Sequence, residues 1–180
     1  MNKSELFDFI NDITSKMSVV EYNQIPEIDL YMDQLTTFID EKLKDCKRNK
    51  SDKILTKTMI NNYAKDNLLP PPEKKKYNKE QIALLILIYH LKSEITIGDI
   101  SAVFDYMETE KISVETVYRA FETITERENR EFPDAVEKIL EEAEKPHKDK
   151  TLVLLTIIAL IVEANSRRML AERLIDTLKN

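Results

Sequence analysis

One glycine, Gly98, serves a chain of 180 residues. Tight hairpins draw on glycine for the left-handed backbone of their turns, so a chain this poor in it cannot build a hairpin-rich sheet cheaply. Proline is confined to six positions, which leaves long stretches with the residue usage of helices. The expected fold class is therefore all-α. With 42% hydrophobic residues the chain has enough apolar material for a proper core.

Apolar spacing and start signals place the helices. Leu6, Phe9, Ile10, Ile13 and Met17 mark a first amphipathic helix over residues 4–17. A second is expected from about Asp29 to Cys46, its exposed face turning basic at Lys42, Lys44, Lys47 and Arg48. The polar link KRNKSDK follows. Thr56 then reads as an N-cap, with Leu55 and Ile60 placed as a hydrophobic staple. That helix is short by construction, because Asn67 favours a left-handed stop and Pro70 to Pro72 forbid continuation.

The same start signal recurs at Asn78, Thr96 and Ser113. The helix from Asn78 carries the uninterrupted run Ile82 to Tyr89 and should be the surrounded, central element. The helix from Thr96 is expected to bury Ile97, Ile100, Phe104 and Met107; the one from Ser113, Val117, Tyr118, Phe121 and Ile124. Pro133 is read as opening a further helix that Pro146 ends. A last helix from about Asp149 to Lys179 begins apolar and ends amphipathic, with Leu170, Leu174 and Leu178 on one stripe. Such a helix fits a dimer contact or the protein's own core.

Charge is unevenly spread. The chain carries a formal −6, yet between Lys42 and Lys79 there are twelve Lys or Arg against four Asp or Glu. A basic island in an acidic chain is the footprint of a phosphate-binding face, and equally of a solvated lysine-rich surface. A single cysteine, Cys46, excludes an internal disulfide. The beginning MNKSELFDF lacks the apolar run of a signal peptide, and Leu152 to Val162 is too short to span a membrane, so a cytoplasmic location without membrane attachment is expected.

Enzymatic chemistry finds no foothold. His90, His147 and Cys46 do not form a metal site of usual spacing, and His90 on an apolar helix reads as a satisfied core residue. With Gly98 alone there is no glycine-rich phosphate loop, and no nucleophile motif is present. No cofactor and no metal are expected, and the chain is read as a non-enzyme.

What remains is TKTMINNYAKDNLLPPPEKKKYNK, residues 56–79. Asn can pair bidentately with adenine, Lys and Thr reach phosphate oxygens, and Tyr either packs beneath a helix or bonds a phosphate. Asn61 and Asn62 are poor helix formers set side by side in a short helix, for which base contact is one reason and a surface position near a helix end another.

This stretch resembles the MerR family of bacterial regulators, whose recognition helix ends Arg-Tyr-Tyr and runs through Gly-Leu-Leu-Pro-Pro into a basic wing with Tyr. Asn61, Asn62 and Tyr63 occupy the Arg-Tyr-Tyr positions, and Asn67 stands for the Gly before Leu68, Leu69, Pro70 and Pro71. Lys74, Lys75, Lys76 and Tyr77 fall where the wing does, and residues 81–91 and 97–104 match the next two helices. IPEIDLYMDQL, LTKTMINNYAK and PPPEKKKYNKEQI are similar to an uncharacterised bacterial family catalogued as a domain of unknown function and thought to be MerR-like.

The resemblance implies a MerR-like winged helix-turn-helix in residues 1–108, with its core at 25–104, and a C-terminal helical bundle in 109–180 for dimerisation or sensing. It implies a sequence-specific transcriptional regulator that binds double-stranded DNA as a homodimer, with a small molecule or protein effector acting on the C-terminal part. The DNA contacts would come from Lys57, Thr58, Asn61, Asn62, Tyr63 and Lys65, and from Lys74, Lys75, Lys76 and Tyr77 in the wing. The rival readings are a helical protein-interaction module without DNA binding, and a small-molecule or enzymatic bundle with a cavity at Tyr118, Phe121 and the last helix.

Overall fold

A computed structural model of the chain describes residues 3–15, 19–49, 51–143 and 149–179. Its described residues form seven α-helices and one two-stranded ladder, which agrees with an all-α protein. The helices are α1 (Lys3–Ser15), α2 (Met32–Lys42), α3 (Lys57–Lys65), α4 (Lys79–Leu91), α5 (Ile97–Thr109), α6 (Val114–Ala143) and α7 (Asp149–Leu178). The strands β1 (Leu30–Tyr31) and β2 (Lys76–Tyr77) pair antiparallel, Leu30 opposite Tyr77 and Tyr31 opposite Lys76.

The start signals act as caps. Thr56 Oγ1 accepts from the Met59 amide at 3.2 Å, Asn78 Oδ1 from the Gln81 amide at 2.9 Å, and Ser113 Oγ from the Thr116 amide at 3.1 Å. At Thr96 the exchange with Asp99 runs both ways. Each bond satisfies an amide that the first helical turn leaves without a partner, worth about 1 kcal/mol per cap.

The apolar residues gather in two clusters. The larger spans Val20 to Tyr118 and surrounds α4, in which every residue from Gln81 to Ile88 is buried. The smaller joins Leu6 and Ile10 of α1 to Val136 of α6 and Leu152 of α7. Helix α1 docks on α6 and α7, while the first turns of α6 belong to the larger cluster. Tyr118 anchors them there: its hydroxyl donates to the Val20 carbonyl at 2.8 Å and its ring meets Tyr22 and Phe121. The side chain is fully buried.

Several expectations need correction. Pro133 does not open a helix; it lies inside the continuous thirty-residue α6. Proline has no N–H to give the preceding turn, but Phe132 and Val136 pack into the smaller cluster on either side of it and hold the helix through. Pro146 and His147 fall outside the described residues. Ile97 and Ile124 are exposed rather than buried, since α6 leaves the larger cluster after Phe121 and Ile97 sits in the open first turn of α5. On α7 it is Leu152, Thr156 and Ile175 that are buried, and Leu170 and Leu174 face out. Among the described residues no helix is long and apolar enough to cross a membrane.

Candidate nucleic-acid interface

Helix α3 sorts its residues by what the core can take. Ile60 and Tyr63 are buried and Met59 packs partly against the larger cluster, while Lys57, Thr58, Asn61, Asn62 and Lys65 are exposed. The helix stops as its sequence dictates. Asn67 adopts φ 56°, and the amides of Leu68 and Leu69 both donate to the Tyr63 carbonyl, at 2.9 and 3.1 Å. Leu68 and Leu69 then plug into the core.

The prolines that follow are held by one side chain. Gln81, buried, donates through Nε2 to the Pro70 carbonyl at 2.8 Å and the Pro71 carbonyl at 3.1 Å, while its Oε1 accepts from the Asn78 amide at 2.9 Å. A capping residue of α4 thereby fixes the exit from α3. The sequence marks Gln81 as part of a helix start, but its grip on the prolines depends on a fold that spacing alone does not give.

Residues 73–76 form a tight turn closed by the Lys76 amide donating to the Glu73 carbonyl at 2.8 Å. Lys74 and Lys75 at its tip have φ 49° and 66°, both left-handed, as in a type I′ turn. Such positions favour Gly or Asn, and a side chain with a Cβ costs about 1 to 2 kcal/mol at each. Both lysines are exposed and Lys76 is half-buried.

The junction of β1 and α2 brings α3 and this turn to a common edge. Asp33, in the first turn of α2, pairs with Lys57 at the start of α3. Two residues earlier, the Tyr31 ring lies 5.0 Å from the ammonium of Lys76. Tyr31 and Asp33 escaped the sequence reading because nothing local joins them to residues 24 or more positions away. The Lys57–Asp33 pair is well exposed on both sides, so it is weak and open to exchange for another anion.

Two of the ten expected contacts lie elsewhere. Tyr63 and Tyr77 are core residues, 7% and 2% exposed, with their hydroxyl pKa values pushed up by burial. They support the surface from beneath and do not present themselves to a ligand. The exposed set is Lys57, Thr58, Asn61, Asn62, Lys65, Lys74 and Lys75, with Lys76 partly covered.

Architecture and surface define a mostly helical protein whose small ladder holds a cationic turn beside a short, polar-faced helix. The chain belongs to the DUF1836 family, described as a domain of unknown function, which matches residues 20–121. The match begins at the edge of the larger cluster and ends at Phe121, its last contact on α6. No curated protein and no solved structure matches the chain.

Proposed function

We propose that the protein is a sequence-specific DNA-binding transcriptional regulator, in which α3 is the recognition helix of a MerR-like winged helix-turn-helix and the turn 73–76 is its wing. The observation that carries the reading is the pair of adjacent lysines held left-handed at the tip of that turn. A turn needing only to reverse the chain would be more stable with Asn-Gly, and strain kept at a solvent-facing cationic tip points to a role outside folding. The Lys57 and Lys76 contacts with Asp33 and Tyr31 support a single surface. On it Asn61 and Asn62 read base edges in the major groove, Lys57, Thr58 and Lys65 flank them, and Lys74, Lys75 and Lys76 hold the adjacent backbone.

The protein acts as a homodimer through α7. Leu154, Ile157, Ile158, Ile161 and Val162 lie at helical spacing and are 48 to 63% exposed, a continuous apolar strip on a helix whose opposite side is already packed. Two copies would present their recognition helices to half-sites about 34 Å apart, one turn of duplex.

The test is selection of binding sites from a random duplex pool by the full chain, followed by fluorescence anisotropy on the enriched sequence. Changing Lys74, Lys75 and Lys76 to Ala weakens binding to all sequences and flattens its salt dependence, whereas Asn61→Ala costs about 1 to 3 kcal/mol at particular bases. Failure to enrich any sequence, or equal affinity of the triple variant and wild type for duplex, removes the reading.

A further inference from the structure

A second group of cations lies where the 3₁₀ turn Lys44–Cys46 and the residues after it meet the last turn of α4 and the middle of α6. A cavity of about 640 Å³ opens there, with Cys46, Arg48, Tyr89, His90 and Lys92 in its wall and Ile13 of α1 at its side. That volume is in the range of small-molecule sites.

Three cations and one acid stand in its wall, and Asp52 lies near enough to act on the Tyr89 hydroxyl. Lys47 is engaged by Asp40 at 2.7 Å, but among the described residues Arg48 and Lys92 have no carboxylate partner. The Lys92 ammonium, half-buried, donates to the Ile54 carbonyl at 3.2 Å and stands 5.2 Å from the centre of the Tyr89 ring. Burial lowers its pKa with no anion opposing the shift. Asp45, the acid in the wall, is exposed to solvent.

His90 adds an independent sign. Its ring sits between Tyr89 and Phe121, 5.3 and 5.2 Å away, and its Nε2 is shut off from water without a hydrogen-bond partner. The expected satisfied core histidine is thus an unsatisfied one. A buried polar atom left in that state is rare in folded proteins. Burial also lowers the imidazole pKa and raises that of the Cys46 thiol, so both stay uncharged and neither offsets the cations nor serves as a nucleophile.

We infer that this cavity binds a small organic anion with an apolar body, its charged end between Arg48 and Lys92 and its body against Tyr89 and His90. A cation is repelled by the same pair, and a neutral molecule leaves Lys92 without a counter-charge. The site is separate from the α3 surface, and its occupancy does not depend on whether the chain binds DNA.

The experiment is titration of the full chain with the fluorescent dye anilinonaphthalene sulfonate, followed by displacement with octanoate and with octanol. Expected are one saturable dye site, displacement by octanoate at concentrations about tenfold below those needed for octanol, and at least about fivefold weaker dye binding in Arg48→Ala and Lys92→Gln. Lys111→Ala, away from the cavity, binds the dye as wild type does. Should Lys92→Gln fail to fold by circular dichroism, Arg48→Ala at its exposed position gives the same reading. Absence of saturable binding, equal displacement by octanol, or dye binding untouched by Arg48→Ala overturns the inference; the last outcome assigns the dye to the apolar strip of α7.

Discussion

Replacing Lys74 by Asn and Lys75 by Gly separates what the turn costs from what it does. Both residues have left-handed φ, 49° and 66°, at about 1 to 2 kcal/mol each for a side chain with a Cβ. Glycine meets the same geometry without that strain and asparagine offsets part of it through local hydrogen bonding, although the glycine gives back about 0.5 to 1 kcal/mol through the freedom of the unfolded chain. The double variant should gain about 1 to 3 kcal/mol, which raises the urea midpoint by roughly 0.5 to 1.5 M. The same change removes two exposed ammonium groups. If each meets one phosphate, the slope of log affinity against log salt becomes shallower by about 1.8. Urea unfolding followed by circular dichroism reads the first quantity, and anisotropy with duplex DNA across a salt series reads the second. An unchanged or lower urea midpoint refutes the strain. A higher midpoint with an unchanged salt slope refutes the contact and leaves the turn a purely structural oddity.

Four further outcomes are expected. Asp33→Asn frees Lys57 from its exposed partner and should raise duplex affinity roughly two- to fivefold, read by anisotropy. Gln81→Ala removes the donor to the Pro70 and Pro71 carbonyls and half of the Asn78 capping box, and should cost about 2 to 3 kcal/mol in urea unfolding. The hydroxyls of Tyr22, Tyr63, Tyr77, Tyr89 and Tyr118 all have pKa values raised by burial. The unfolded chain therefore loses these protons first, and stability present below about pH 10 should fall as pH rises beyond it, less steeply in Tyr118→Phe. Changing Ile158 and Ile161 to Glu should convert a dimer to a monomer in sedimentation equilibrium, while a wild-type monomer would argue against α7 as the contact.

Where the fold was legible, the physics was local. Thr56, Asn78, Thr96 and Ser113 cap helices because a polar side chain before an apolar run bonds amides within three residues of itself. Asn67 ends α3 left-handed for a similarly short-range reason. Helix α4 is buried from Gln81 to Ile88 because an unbroken apolar run has no face to offer water. What was not legible depends on distant partners. Pro133 is far better suited to a first turn than to a helix interior, and the packing of Phe132 and Val136 that carries α6 through it cannot be read from local sequence. The stripe on α1 does not say that it belongs with α6 and α7. At the candidate surface the exposed lysines and asparagines were readable as types, while the burial of Tyr77 and the link through Tyr31 and Asp33 required the tertiary structure.

Helix α6 makes the two clusters mechanically inseparable. Tyr118 is sealed in one and Val136 in the other, about 27 Å apart along an axis rising 1.5 Å per residue. An α-helix resists stretching, so a shift of the smaller cluster reaches the larger as a tilt of the rod about Tyr118 and tugs on the Val20 carbonyl its hydroxyl holds. A fragment trimmed to the boundaries of the family match severs that rod at Phe121, keeping its anchored tip and discarding the arm that would move it.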